Sequence, residues 1–199
     1  DQRTAAEVEQ MNKIVGREKL VEITANPALT GWTAAKILWV KNNEPEIYSK
    51  VAHILLPKDF LRFVLTHEYA TEVSDASGMQ LLDVPNRKWS DELLSAFEID
   101  KNWLRKGYDA AAAVGTGVVE DGKAFTTIGT SGVVFAHTSS ISIDKQGRVH
   151  TCCAAVPNTW HVMGVTQGAG LSLKWFRDNF CMTEKETAKL MDVDEYYLM

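Results

Sequence analysis

Four consecutive residues, Gly129-Thr130-Ser131-Gly132, stand between the β-branched runs AFTTI and VVFAHT. Two glycines permit a tight turn whose backbone N–H groups converge on an anion, and the Thr130 and Ser131 hydroxyls add donors suited to phosphate oxygens. The same residues also make an ordinary hairpin turn, because glycine fills such turns readily, so residue types alone leave both readings open. A second stretch, Gly117 to Lys123 (GVVEDGK), imitates the glycine spacing of a Walker A phosphate loop. Ala124 then stands where that loop needs a magnesium-ligating Ser or Thr, and no helix is expected after it, so Lys123 reads as a solvated hairpin tip. His150, Cys152, Cys153 and His161 invite a zinc reading, but adjacent strand residues face opposite ways and adjacent cysteines lack metal-site spacing. No metal site is expected there. The histidines at 53, 67, 137 and 161 are expected to be packed or surface residues, and Trp39, Trp89, Trp160 and Trp175 to anchor the core.

The elements that must position these residues change character along the chain. Residues 4–14 can form a helix, and a second apolar face, with Ile37, Leu38, Val40, Ile47, Tyr48 and Val51, starts at Thr33 and must be divided by Pro45. Ile54 to Leu56 reads as a short strand, and Pro57 then opens a helix carrying Phe60, Leu61, Phe63, Val64 and Leu65. Ser90 followed by Asp91 and Glu92 is a capped helix start. From about residue 113 the texture turns to β-branched residues and glycines, which predicts antiparallel strands turning at Asp121-Gly122 and at Lys145-Gln146-Gly147. Gly170 to Phe180 is a predicted helix, and Thr183 with Glu186 a predicted capping box for the next. The change of texture places a domain boundary near residues 105–113.

With 199 residues, 45% of them hydrophobic, the chain can hold one large domain or two small ones. A net charge of −5 without clustered Lys and Arg argues against nucleic acid as a partner. No apolar run is long enough to span a membrane, and DQRTAAEVEQ lacks the regions of a signal peptide, so the expectation is a soluble cytoplasmic protein. Cys152, Cys153 and Cys181 make an odd count in a chain this large, which favours reduced thiols.

A long ordered series of segments resembles the FGGY carbohydrate-kinase family. GWTAAKILWVKNN (Gly31 to Asn43) fits the family's first signature, with Thr33, Lys36, Trp39 and Asn43 at its diagnostic positions, and EPEIYSKVAHILLPKDFLRFVLT and SDASGMQLLDV follow in order. Within the family the wording of ANPALTGWTAAK, AHILLPKDFL, AVGTGVV, IGTSGVVFAHT and HVMGVTQGAGLSLKWFRD is most similar to the xylulokinase group. The likeness runs across nearly the whole chain. It implies an α/β fold of the actin-like ATPase (ribonuclease H-like) sugar-kinase type, two lobes with a cleft, incomplete in this chain. Residues 1–109 would be the remainder of the N-terminal, sugar-binding lobe and 110–199 the first part of the C-terminal, nucleotide-binding lobe.

The resemblance further implies ATP and Mg2+ as cofactors and a small-molecule sugar as partner, and it leaves a homodimer open. The implied activity is phosphorylation of D-xylulose to D-xylulose 5-phosphate in pentose catabolism, with another sugar of the family's range (ribulose, gluconate, fuculose or glycerol) or a non-catalytic fragment as alternatives. By the same match Gly129, Thr130 and Ser131 lie at the β- and γ-phosphates, and Gly170 is the glycine that lets nucleotide approach the backbone. The family's general base is an aspartate seven residues before the glycine that is Gly115 here, and counting back reaches Tyr108, with Asp109 one residue late. Either the strand has slipped and Asp109 serves, or residues between Asp109 and Ala110 have been lost with the base; loss is favoured, because a one-residue slip turns a strand side chain to the other face. The family's Asp-x-Gly-Thr loop and Met-His-Gly segment have no counterpart, and DQRT resembles the text just after them. Asp1 and Arg3 are thus read as bordering the sugar site, or else as a solvated cap and surface pair. His67 stands where relatives usually carry glycine. The series stops before the adenosine-binding segment, so a longer parent protein is expected.

Overall fold

Apolar residues recur at helical spacing through the first hundred positions, and the computed structural model, which describes residues 3–104, 107–108 and 117–199, folds them as short helices. Helix α1 (Ala5–Ile14), α2 (Arg17–Thr24), α3 (Thr33–Asn43) and α7 (Asp91–Phe97) turn their apolar sides onto one core. Met11, Leu20, Leu38, Met79, Leu81, Leu93 and Phe97 lie at its centre. Pro45 cannot donate a backbone hydrogen bond, so α3 ends at Asn43 and the proline becomes the first residue of α4 (Pro45–Tyr48). Ser90 caps α7 by accepting from the Leu93 N–H at 3.2 Å.

The strand expected at Ile54 to Leu56 is absent. Ile54 donates one hydrogen bond to the Trp103 carbonyl, and the extended Leu56 leads directly into α5 (Pro57–Thr66). Asp59, buried in that first turn, accepts from the Leu56 N–H and from the Thr71 hydroxyl at 2.7 Å. His67 ends α5 with a left-handed φ of 58°, the conformation for which glycine is the usual residue.

Strand β1 (Thr71–Glu72) leads into α6 (Val73–Ser77), whose first N–H groups are taken by the Glu72 carboxylate. Strands β2 (Leu82–Asp83) and β3 (Lys88–Trp89) form an antiparallel pair, and β4 (Gly107–Tyr108) runs parallel to β1. A four-stranded sheet follows, from β5 (Ala124–Ile128), β6 (Gly132–Thr138), β7 (His150–Cys153) and β8 (Trp160–Thr166), in the order β5-β6-β8-β7. Strand β8 was not among the expected strands: Gly164 interrupts its apolar alternation, and its pairing reveals it, between β6 and β7 with Cys152 opposite His161. Ser140 to Ile143, expected to be strand, form a loop from which Ile141 and Ile143 pack on a second core of Val73, Ala76, Leu82, Val84 and Cys153.

Helices α8 (Gly170–Phe180) and α9 (Met182–Met191) meet at the single residue Cys181. With Cys181 at the cap, Thr183 lies inside the first turn, and the capping box with Glu186 does not form. Trp175, expected in the core, is 58% exposed. The chain divides into two compact units, residues 1–124 with 136–163, and residues 125–135 with 164–199. The boundary expected between residues 109 and 110 lies outside the described residues. Among the described residues no helix is long and apolar enough to cross a membrane.

Candidate functional site

The GTSG residues form the tip between β5 and β6, inside the smaller unit. Phe125 and Phe135 stack at 4.7 Å between ring centroids and tie the two strands behind the tip. At the tip the Gly129 N–H donates to the Ser131 carbonyl at 2.9 Å. The loop before α8 closes on it: the Gly170 N–H donates to the Gly129 carbonyl at 2.8 Å, and the Ala169 N–H to the Thr130 carbonyl at 3.0 Å. The Ser131 hydroxyl reaches the Gln167 carbonyl at 3.5 Å, a weak contact.

This bonding spends the Gly129, Thr130 and Ser131 carbonyls and the Gly129 N–H, and leaves the two N–H groups between them. Among the described residues the N–H groups of Thr130 and Ser131 and the Thr130 hydroxyl have no hydrogen-bond partner, and Thr130 is exposed. A turn with satisfied carbonyls and outward donors is what an oxyanion needs. The structure therefore brings Gly129, Thr130, Ser131 and Gly170 together. It adds Ala169 and Gln167, which sequence reasoning did not single out; the glycines at 168 and 170, flanking the start of a helix, were the signal that a backbone approaches closely there. Arg177, on α8, is committed to Asp178 at 2.8 Å and Glu195 at 2.7 Å.

The remaining candidates separate from this site. Lys123 pairs with Glu120 at 3.3 Å and is followed by β5, so GVVEDGK is no phosphate loop. Arg3 lies with its guanidinium 5.3 Å from the centre of the Trp39 ring. Asp1, Asp109, Ala110 and Gly115 lie outside the described residues. The pleat puts His150, Cys152 and His161 on one face of the β7–β8 ladder, but His150 Nδ1 faces Asn26 Oδ1 at 3.1 Å. Burial pushes the Cys152 thiol up to about 12 and the His161 imidazole down to about 4. Among the described residues no three metal-ligating side chains converge on one point, and no disulfide forms.

Residues 1–140 match the model of the FGGY family of carbohydrate kinases, N-terminal domain. A xylulose kinase from Lactococcus lactis is 37% identical over 211 residues, which cover 90% of this chain and 42% of that protein. A gluconokinase from Bacillus licheniformis is 25% identical over 98% of the chain and 44% of its own length. The solved structure of a xyloylose kinase from Brucella ovis superposes with a TM-score of 0.82 at 30% identity, covering 99% of this chain and 44% of that one. The chain thus spans less than half the length of each of these relatives.

Proposed function

This chain belongs to the FGGY family of carbohydrate kinases, and on that premise we propose that the protein carrying it transfers the γ-phosphate of ATP to the 5-hydroxyl of D-xylulose, giving D-xylulose 5-phosphate. The fold is the α/β actin-like ATPase fold of the sugar kinases. One observation carries the nucleotide half of the proposal: the GTSG turn holds its carbonyls in hydrogen bonds to the loop before α8 and leaves the donors of Thr130 and Ser131 for phosphate oxygens.

Phosphoryl transfer asks a protein mainly for positioning and for donors on the phosphoryl oxygens. In this reading Thr130 gives its N–H and hydroxyl to the β- and γ-phosphates, Ser131 adds its N–H, and Gly129 and Gly170 let the chains approach. Magnesium would enter on the phosphates of the nucleotide, where it neutralises charge, since hydrated magnesium needs few protein ligands. In the same reading Arg3, whose guanidinium lies 5.3 Å from the centre of the Trp39 ring, is assigned to the border of the sugar site. The base that accepts the sugar's proton is assigned to no described residue.

The test is sugar-dependent ADP release by the protein that carries this chain, across D-xylulose, ribulose, gluconate, fuculose and glycerol. D-Xylulose is expected to give the highest kcat/KM; the gluconokinase relative makes gluconate the second reading. Release of ADP with none of the five sugars sinks the proposal. Thr130→Ala removes one donor to a charged group and is expected to lower kcat/KM for ATP about 10- to 100-fold, with KM for the sugar little changed.

A further inference from the structure

A helix N-terminus ordinarily offers its first N–H groups to an anion. At α8 they are already used. Ala169, Gly170 and Leu171 direct their N–H groups onto the GTSG turn, at 3.0 Å to the Thr130 carbonyl, 2.8 Å to the Gly129 carbonyl and 3.4 Å to the Thr130 carbonyl respectively. The consequence follows from peptide planarity. The C=O of one residue and the N–H of the next share a rigid trans unit and point in opposite directions. Holding the Gly129 carbonyl therefore aims the Thr130 N–H, and holding the Thr130 carbonyl aims the Ser131 N–H.

Gly170 makes this possible through space rather than conformation. Its φ lies outside the left-handed region, so other residues could adopt its backbone. A Cβ at position 170, however, would stand 2.5 Å from the Gly129 oxygen and 3.3 Å from the Gly129 carbonyl carbon, where ordinary contacts begin at 3.4 Å. Both partners are main chain, so no side-chain rotation relieves the clash. The turn would have to retreat by roughly an ångström, enough to turn both donors off target.

We propose that Gly170 is a positioning residue for phosphate: by admitting the Gly129 carbonyl against the start of α8, it aims the Thr130 and Ser131 N–H groups outward. This rests on the nucleotide reading of the GTSG turn given above. It differs from direct contact between Gly170 and the nucleotide, because the effect passes through the orientation of two peptide planes.

The experiment compares Gly170→Ala with Gly164→Ala, the latter in β8 where an added Cβ meets nothing within 4 Å. Helix propensity alone would make Gly170→Ala neutral or stabilising. The expected result is a fall in kcat/KM for ATP of about 100-fold, carried largely by KM for ATP, with KM for the sugar within about twofold. Gly164→Ala should match the unsubstituted protein. An unchanged KM for ATP in a folded Gly170→Ala protein overturns the inference. Should that variant not fold, amide exchange in the unsubstituted protein decides. Ala169 and Gly170 amides should be protected without ligand, and Thr130 and Ser131 amides only once ADP is added. Fast exchange at Gly170 overturns this inference alone; no ADP-dependent protection at Thr130 in a protein that consumes ATP overturns it together with the phosphate reading of the GTSG turn. A protein that neither binds ADP nor consumes ATP overturns the proposed function and this inference with it.

Discussion

The larger unit encloses a core of fully buried apolar side chains, with Phe60, Leu61, Val64 and Leu65 of α5 left exposed outside it, whereas the smaller one leaves the apolar residues of α8 in the open. In the first, Met11, Leu20, Ala34 and Leu93 are at 0% exposure; in the second, exposure along α8 runs from 48% at Phe176 to 63% at Phe180. The contrast separates two ways of holding a shape. Dispersion and water exclusion hold the larger unit. The turn in the smaller unit is held mainly by directional main-chain hydrogen bonds that require glycines at close approach. Packing tolerates small shifts, and a hydrogen-bonded donor pair does not, so the candidate site is built from the second kind of material.

Core truncation is the strongest way to test that contrast. Phe97→Ala empties the centre of the first core and is expected to cost about 3–5 kcal/mol in urea unfolding. Trp175→Ala, at a side chain 58% exposed, should cost no more than about 0.5 kcal/mol. Comparable costs at the two positions would dissolve the distinction between the units.

Acid should act on the larger unit next. His161 is 7% exposed, and burial, with His137 as a further lowering influence, pushes its imidazole down to about 4 from an ordinary 6.5. Between those values the unfolded chain binds a proton that the folded chain refuses, so stability present above pH 6.5 is lost as pH falls toward 4. The loss amounts to up to about 3 kcal/mol. His161→Phe should flatten this part of the pH profile in denaturant titrations at pH 7.5 and 5. An unchanged slope would place the acid sensitivity elsewhere.

A smaller effect than that of acid is expected at His67, where the larger unit tolerates the conformation that glycine would relieve. His67→Gly removes the left-handed strain at the end of α5 and loses an edge contact with Phe63, whose ring centroid is 6.2 Å away. A net gain of about 0.5–1 kcal/mol is expected, read as a shift of the urea midpoint. A loss would mean that the aromatic contact outweighs the backbone term.

Much of this was legible locally. Pro45 divides α3 from α4, Ser90 caps α7, Gly170 opens α8 and the GTSG turn sits between two strands, because each signal acts within a few residues. Ile54 to Leu56 went astray because a strand needs a ladder partner, and Ile54 finds one carbonyl rather than a strand. Thr183 went astray because α9 starts at its neighbour, directly after Cys181.

Residue order alone determined the family, through a signature spread over Gly31 to Asn43 and the segments after it, and it marked the starts of α3, α5, α7 and α8 and where turns can form. Tertiary structure decided what each turn is for. The Gly129 and Gly170 main chains are 41 positions apart in the chain, yet their approach sets which N–H groups of the GTSG turn remain available. Strand β8, the exposure of Trp175 and the His161 environment were decided in the same way, since pairing, coverage and desolvation depend on partners distant in the chain.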